Sequence, residues 1–335
     1  SLSDAIQLGL ANNYGILISK GQEEIARNSN TFGNAGGLPT ITLSAVQSNN
    51  WNDQDNPASF LNGVIETHSI RPAADLNWTL FNGFNLLANR ERLGILERQS
   101  AGNTELIVQN TIEGIVLAYY NVVLQKENLK VLGDVKRLSR DEYAYVSTKT
   151  ELGAAGTFDL LQAKDAYLTD STNYINQQVQ QRTAERALNT LLALPPDTGF
   201  IFTDSVLPQP EIFYLEVLKE AALANNQNIK LAYLDQELRR QDTRLQKSAL
   251  YPSLSVAAGI NDSRFNTIID GENNFSGQPF VEENAGRTLN YFVNVTLSYR
   301  LYDGGKVRKA IENAQTQEAI SATQTQQATQ AVMQE

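Results

Sequence analysis

Leu80-Phe81-Asn82-Gly83-Phe84 and Leu301-Tyr302-Asp303-Gly304-Gly305 write the same corner twice, 221 residues apart. Each runs leucine, aromatic, Asn or Asp, glycine, the pattern of a turn that needs a short polar side chain and left-handed backbone. Two earlier landmarks repeat in the same order. Leu10-Ala-Asn-Asn13 recurs as Leu223-Ala-Asn-Asn226, and Leu38-Pro39 answers Tyr251-Pro252, both at an offset of 213. The second copy has therefore gained eight residues before its corner, placed in the Asn-, Gly- and Glu-rich loop from Asn266 to Arg287. Ordered landmarks with one insertion read as a tandem repeat.

Each copy reads helix, strand, loop, strand, helix. Helical periodicity covers residues 3–30 and 212–249, with Leu231, Leu234, Leu238 and Leu245 on one stripe of the second. Strands of period two are expected at about 38–49, 64–81, 252–263 and 288–302. The fourth is clearest: Leu289, Tyr291, Val293, Val295, Leu297, Tyr299 and Leu301 alternate with mostly polar partners. Pro39 and Pro252 open strands, where a missing N–H costs least. The connections Asn49 to Gly63 and Asp262 to Arg287 are read as extended polar loops. Aromatics gather at strand ends, with Trp78, Phe81, Tyr299 and Tyr302 at one and Tyr291 and Phe292 toward the other. This suits the two interfacial belts of a strand that spans lipid, with Val295 and Leu297 on its lipid face. Four strands cannot close a barrel and lipid forbids open edges, so several chains must contribute strands. Two chains would supply about eight, and three about twelve with room for a channel.

From Asn85 to about Thr150 there is no proline and no turn cluster, about 100 Å of chain if helical throughout. Val108, Ile112, Ile115, Tyr119, Val122 and Leu129 follow heptad spacing, and Val116, Tyr120 and Val123 form a second stripe. A helix apolar on two sides packs against neighbours on both. Gly94, Gly102, Gly114 and Gly133 each weaken it by about 1 kcal/mol, so lateral packing must hold it. The reversal comes at Gly153-Ala-Ala-Gly156-Thr157, with Gly153 as the left-handed stop, Thr157 as the next N-cap and Asp159 in the first turn. Leu161, Leu168 and Ile175 continue a seven-residue repeat, and Pro195-Pro196 stops the returning helix.

Composition excludes much. The chain has 335 residues, 27 Lys+Arg, 37 Asp+Glu, a net charge of −10, no Cys and one His. An acidic chain without a basic stretch makes nucleic acid an unsuitable partner. Thiol catalysis, disulfides and Cys-based zinc sites are absent, and no metal or cofactor is expected. His68 with Glu66 nearby is too little for a catalytic constellation, and no glycine-rich phosphate loop follows a strand, so no catalytic residue is assigned. Mean hydropathy is −0.33, and the longest apolar run, Ile115 to Leu124, is broken by Asn121, so no transmembrane helix is expected. A strand-built membrane protein passes that test.

Taken together, these residues resemble the TolC-like outer-membrane efflux proteins of Gram-negative bacteria, over essentially the whole chain. The family's opening signature is matched by Leu2, Ala5, Gly9 and Asn13, with Tyr14 and Gln227 where it often has Pro. Its strand–helix corner is matched by Asn82 and Gly83 and again by Asp303 and Gly304. Its hairpin tip is matched by Lys149, Gly153, Gly156, Asp159 and Leu161, with Thr157 one place after the usual hydroxyl position. The resemblance implies an α+β membrane protein: a homotrimer whose 12-stranded β-barrel in outer-membrane lipid continues as an α-helical coiled-coil tunnel through the periplasm. It implies docking of a periplasmic adaptor protein at Lys149, Gly153, Gly156, Thr157 and Asp159, and through it an inner-membrane pump. The expected role is the passive exit duct of a tripartite efflux or type I secretion system for drugs, small molecules or proteins. The rival readings are an enzyme and a non-transport periplasmic or surface coiled-coil structural protein. Domain organisation is expected as a first repeat over 1–194 with its hairpin at 84–194, a linker at 195–211 and a second repeat over 212–335. By comparison of the copies, about 100 residues of the second hairpin, which in the family carries much of the periplasmic entrance gate, are expected to be missing from this chain. Ser1 is read as a mature end or a first ordered residue, and the lipid-bearing N-terminal Cys of some family members is not among these residues, which leaves open that it was cut off.

Overall fold

In the computed structural model, residues 1–55, 61–204, 214–273, 276 and 278–334 are described. The element order is α1 Leu2–Asn12, α2 Tyr14–Ser29, β1 Thr40–Gln54, β2 Leu61–Asn82, α3 Asn85–Glu151, α4 Thr157–Leu191, α5 Leu215–Asn225, α6 Gln227–Ser248, β3 Ser253–Asn273, β4 Pro279–Ser298 and α7 Lys306–Gln334. Parts of the expected linker, of the helix expected from 212 and of both strand-connecting loops fall outside the described residues, as does Glu335.

Each helix expected to lead a repeat is two helices. Asn13 (φ −56°, ψ 124°) ends α1, and its Oδ1 accepts from the N–H groups of Gly15 at 2.9 Å and Ile16 at 3.3 Å to start α2. Asn226 (φ −61°, ψ 123°) does the same between α5 and α6, accepting from Asn228 at 2.9 Å and Ile229 at 3.2 Å. The repeated Leu-Ala-Asn-Asn thus encodes a cap, because an amide oxygen that satisfies N2 and N3 donors pulls its own residue out of the helix.

The chain forms two compact units, and each draws on both repeats. One comprises Ser1–Arg27, Arg98–Ala232 and Gln326–Glu335; the other comprises Asn28–Glu97 and Tyr233–Thr325. The core of the first joins Ala5 of α1, Ile115, Tyr119, Val122 and Val123 of α3, and Ala184 and Leu188 of α4 with Leu192. One 18-residue window of α3 is apolar enough, by length and composition, to cross a membrane. This corrects the expectation that no helix would pass that test, and four of the core residues lie on the same helix. Helix α4 ends at Leu191, three residues before the expected stop. Ala193 takes φ 53°, and Leu194 N–H reaches Asn189 O at 2.9 Å, a Schellman closure with alanine in the left-handed place. Buried Asn189 then fastens the chain that follows, donating to Pro196 O at 2.9 Å and Thr198 O at 3.0 Å.

The pairing of α3 with α4 uses a different stripe from the expected leucines. Tyr143 stacks on Tyr167, Lys136 lies over the Tyr174 ring, and Gln177 Nε2 donates to Gln125 Oε1 at 2.7 Å. Tyr167, Tyr174, Gln177, Ala184 and Leu188 keep heptad spacing on that side. Leu161, Leu168, Ile175 and Val179 form an apolar stripe that the described residues leave exposed. Of the second α3 stripe, Val123 is buried and Tyr120 is exposed.

The second unit holds one antiparallel sheet in the order β1-β2-β3-β4, with β1 and β4 as edges. Its helical segments meet through polar contacts, Arg92 Nε to Asp242 Oδ1 at 2.8 Å and Thr243 Oγ1 to Glu318 Oε2 at 2.9 Å, while Arg239 pairs with Asp235 and Asp242 within α6. The strands correct the expected loops. β1 continues to Gln54, β2 begins at Leu61, β3 continues to Asn273 and β4 begins at Pro279. Ladder hydrogen bonds form whatever the side chains, and here polar pairs such as Thr67 with Thr267 and Asn266 with Glu283 replace apolar ones. β4 stops at Ser298, not 302, because its last partner is Ser253, the first residue of β3.

Candidate functional site

At the hairpin tip, Gly153 has φ 74° and its N–H reaches Thr150 O at 3.1 Å, while Ala154 N–H reaches Lys149 O at 2.8 Å. These two bonds are the Schellman closure of α3, and Gly153 supplies its left-handed residue. The N-cap of α4 is Gly156 (φ −83°, ψ 158°), one residue earlier than expected, so Thr157 is the first helical residue. Asp159 Oδ2 accepts from Gly156 N–H at 3.1 Å and places a carboxylate at the positive end of α4. Lys149 Nζ sits 4.5 Å from the Tyr145 ring centroid, and the hydrogen bond between these side chains raises its pKa. Sequence reasoning passed over Leu152 and Phe158, which stand 79% and 76% exposed at the tip. The signal was available: two large apolar residues flanking a glycine turn have no local partner to bury them.

The two corners share one geometry. Asn82 Oδ1 accepts from Leu86 N–H at 3.1 Å, and Asp303 Oδ2 accepts from Val307 N–H at 2.8 Å, each four residues ahead. Asp303 Oδ1 also takes Gly305 N–H at 2.9 Å, and these backbone donors, that of Val307 foremost, hold its carboxyl below the usual range. Gly83 and Gly304 have φ 66° and 72°, and the next residues, Phe84 and Gly305, are left-handed too, at 66° and 80°. Phe84 bears that conformation with a side chain, braced edge-to-face by Phe81 at 5.2 Å and Tyr251 at 5.6 Å. Only comparison with its counterpart Gly305 marked the position. Gly83 is also spatially required, since a Cβ there would lie 2.1 Å from Ser248 O.

The sheet register collects the strand residues into rows. Trp78 opposes Val256, which opposes Val295; Phe81 opposes Leu254, which opposes Leu297. The next rows are Ile41, Leu76, Ala258, Val293 and Leu43, Ala74, Ile260, Tyr291, all on the same face by alternation. Tyr299 and Tyr302 lie beyond the end of β4, exposed, and Trp78 Nε1 donates to Gly37 O at 3.1 Å. From Leu297 to Leu289 the apolar band measures about 26 Å along the strand. It ends at charge: Asp262, opposite Leu289, accepts from Arg287 Nε at 2.7 Å and Arg264 Nη2 at 2.9 Å. Farther along this face His68 bonds Glu66 and Asn49, each at 2.9 Å, beside Trp51. The opposite face carries Thr40, Thr42, Asn77, Thr79, Ser255, Asn261, Asn290, Asn294 and Thr296 in the same rows. The sheet therefore presents one apolar and one hydroxyl- and amide-lined surface.

The family description "Outer membrane efflux protein" matches residues 5–194 and 218–335. "Toxin and drug export protein A" of Aggregatibacter actinomycetemcomitans is 22% identical over 223 residues, covering 62% of this chain and 47% of that protein. An uncharacterized Haemophilus influenzae protein is 20% identical over 167 residues, 50% of this chain and 37% of its own. Crystal structures of CusC superpose with a TM-score of 0.71 at 16% identity, over 99% of this chain and 73% of theirs. The Campylobacter jejuni CmeC outer membrane channel gives 0.71 at 15% identity, over 97% and 67%. The chain spans less than half the length of the curated relatives it matches.

Proposed function

The chain belongs to the outer membrane efflux protein family, and from that premise we propose that it is the subunit of a passive outer-membrane exit duct. The observation that carries the reading is the two-faced sheet. A continuous apolar face about 26 Å long along the strand, tilted by about 40°, rises about 20 Å and covers most of the roughly 25 Å apolar band of an outer-membrane barrel. Neither edge, β1 or β4, has a pairing strand among the described residues, and lipid tolerates no open edge, so copies of the chain complete the wall. Three copies give about twelve strands and a water-filled lumen lined by the Ser, Thr and Asn face. The exposed stripe Leu161, Leu168, Ile175 and Val179 is the counterpart in the helices: it supports packing against neighbouring helices of the assembly.

The tip of the hairpin is the docking end for a periplasmic adaptor and, through it, an inner-membrane pump. Lys149, Gly153, Gly156, Thr157 and Asp159 shape that turn, and Leu152 and Phe158 offer the apolar contact area. The cargo class is small toxic molecules and drugs or exported proteins, in keeping with the printed name of the Aggregatibacter relative. Outer-membrane fractionation of the full-length protein, with its mass in mild detergent, tests the duct. A trimer in the outer-membrane fraction is expected, and a soluble monomer overturns the reading. Gly153→Val tests docking: export should be lost while the trimer stays inserted, Gly153→Asn should retain it, and normal export by the valine variant refutes the assignment.

A further inference from the structure

Thr42, Asp75, Gly259 and Phe292 are successive register partners, one row across all four strands on the face opposite the apolar band. Gly259 leaves the middle of that row without a side chain. Asp75 Oδ1 and Phe292 Cε1 and Cζ each stand 2.7 Å from the point where a Cβ on Gly259 would lie. A carboxylate and the outer edge of an aromatic ring therefore share the space above one glycine. Both are half-buried, and Asp75 has neither a hydrogen bond nor an ion-pair partner among the described residues. A partly desolvated carboxylate without a cation is unusual, because its charge loses hydration and gains nothing in return. The other charged side chains that alternation places on this face are Arg71, about 13 Å along β2, and Glu282, near the far end of β4. The rest of the row's surroundings are neutral: Thr40, Ser44, Asn77, Asn261, Asn290 and Asn294.

We propose that Asp75 and Phe292 form a station for organic cations on the lumen wall, an inference that rests on the duct reading. The carboxylate supplies the charge, and the Phe292 ring beside it supplies apolar surface for the body of a weakly hydrated organic ammonium. A substituted ammonium with an apolar body uses both groups, whereas a small hydrated metal ion gains little from the ring. Gly259 is the specificity device, because any side chain there would displace ring and carboxylate from each other. In a trimer three stations face one lumen, so a cation released by one is near the next.

The test is single-channel recording of the full-length trimer in planar bilayers, with benzyltrimethylammonium added on either side. Absence of channels overturns the duct reading itself, separately from the station. With channels present, the cation is expected to block the current, and benzyl alcohol at the same concentration is not. Asp75→Asn should weaken the block about tenfold and Phe292→Leu about threefold, each measured relative to that variant's own open current in plain salt. Asp75→Glu should retain most of it. Undiminished block in Asp75→Asn, or equal block by benzyl alcohol, overturns the station.

Discussion

Replacing Gly83 with alanine adds one methyl at a corner where two constraints meet, and replacing Gly304 adds it where only one applies. Both glycines are left-handed, at φ 66° and 72°, so each alanine carries about 1 kcal/mol of backbone strain. At Gly304 nothing lies within 4 Å of the new carbon. At Gly83 the carbon would stand 2.1 Å from Ser248 O and 2.9 Å from Tyr251 Cβ. A main-chain carbonyl cannot rotate aside like a side chain, so the α6 end must move by about 1 Å, at about 2 kcal/mol more. The expected costs are about 3 kcal/mol for Gly83→Ala and about 1 kcal/mol for Gly304→Ala. Thermal unfolding of the purified protein in detergent reads this as a midpoint loss of roughly 6 °C against roughly 2 °C. Equal losses would refute the reasoning, since they would leave only the shared backbone strain and no close approach at the first corner.

Val293→Arg, in the middle of the apolar band, should impair outer-membrane assembly by about 2–4 kcal/mol, and Leu297→Arg near its rim by about 0–1 kcal/mol. Asn294→Arg on the other face should assemble normally; the amount of folded trimer in the outer-membrane fraction decides, and equal harm from all three would remove the face assignment. Ala193→Gly should stabilise by about 1 kcal/mol, because glycine takes the φ 53° of that helix stop without strain; a lower urea midpoint would contradict it. Asp204 accepts from Leu2 N–H at 2.7 Å and Tyr119 Oη–H at 2.9 Å, and these bonds, the backbone one foremost, lower its pKa. A lowered folded-state pKa means the contribution is full above the unfolded value, about 3.9, and is lost as pH falls through the folded value. Asp204→Asn should therefore flatten stability measured from pH 6 to pH 2, and an unchanged acid slope would count against the ion.

The sequence by itself determined what is encoded within a few residues. Gly153 closes a helix and Asn82 and Asp303 hold a corner, because each side chain or missing side chain acts on backbone at most four positions away; Asn13 and Asn226 act as locally, yet the helical periodicity on either side hid the break they make. The alternation in β4 likewise fixed which of its residues share a face, since the pleat allows no other arrangement. Strand ends escaped, because beyond Asn49 and Asp262 the ladder is held by backbone bonds and polar pairs that leave no hydrophobic period. Thr157 lost the cap to Gly156 because Gly156 holds the extended conformation with its N–H on Asp159 Oδ2, which leaves Thr157 as the first helical residue. Leu161, Leu168 and Ile175 looked like the hairpin seam; packing gave that seam to Tyr167, Tyr174 and Gln177, and only tertiary contacts separate two heptad stripes of similar strength. The meeting of Asp75 with Phe292 over Gly259 was decided by strand register, and the approach of Gly83 to Ser248 by the packing of the corner on the end of α6. Those partners lie far apart along the chain, and the sequence carries no local trace of a pairing that exists only once the sheet is built.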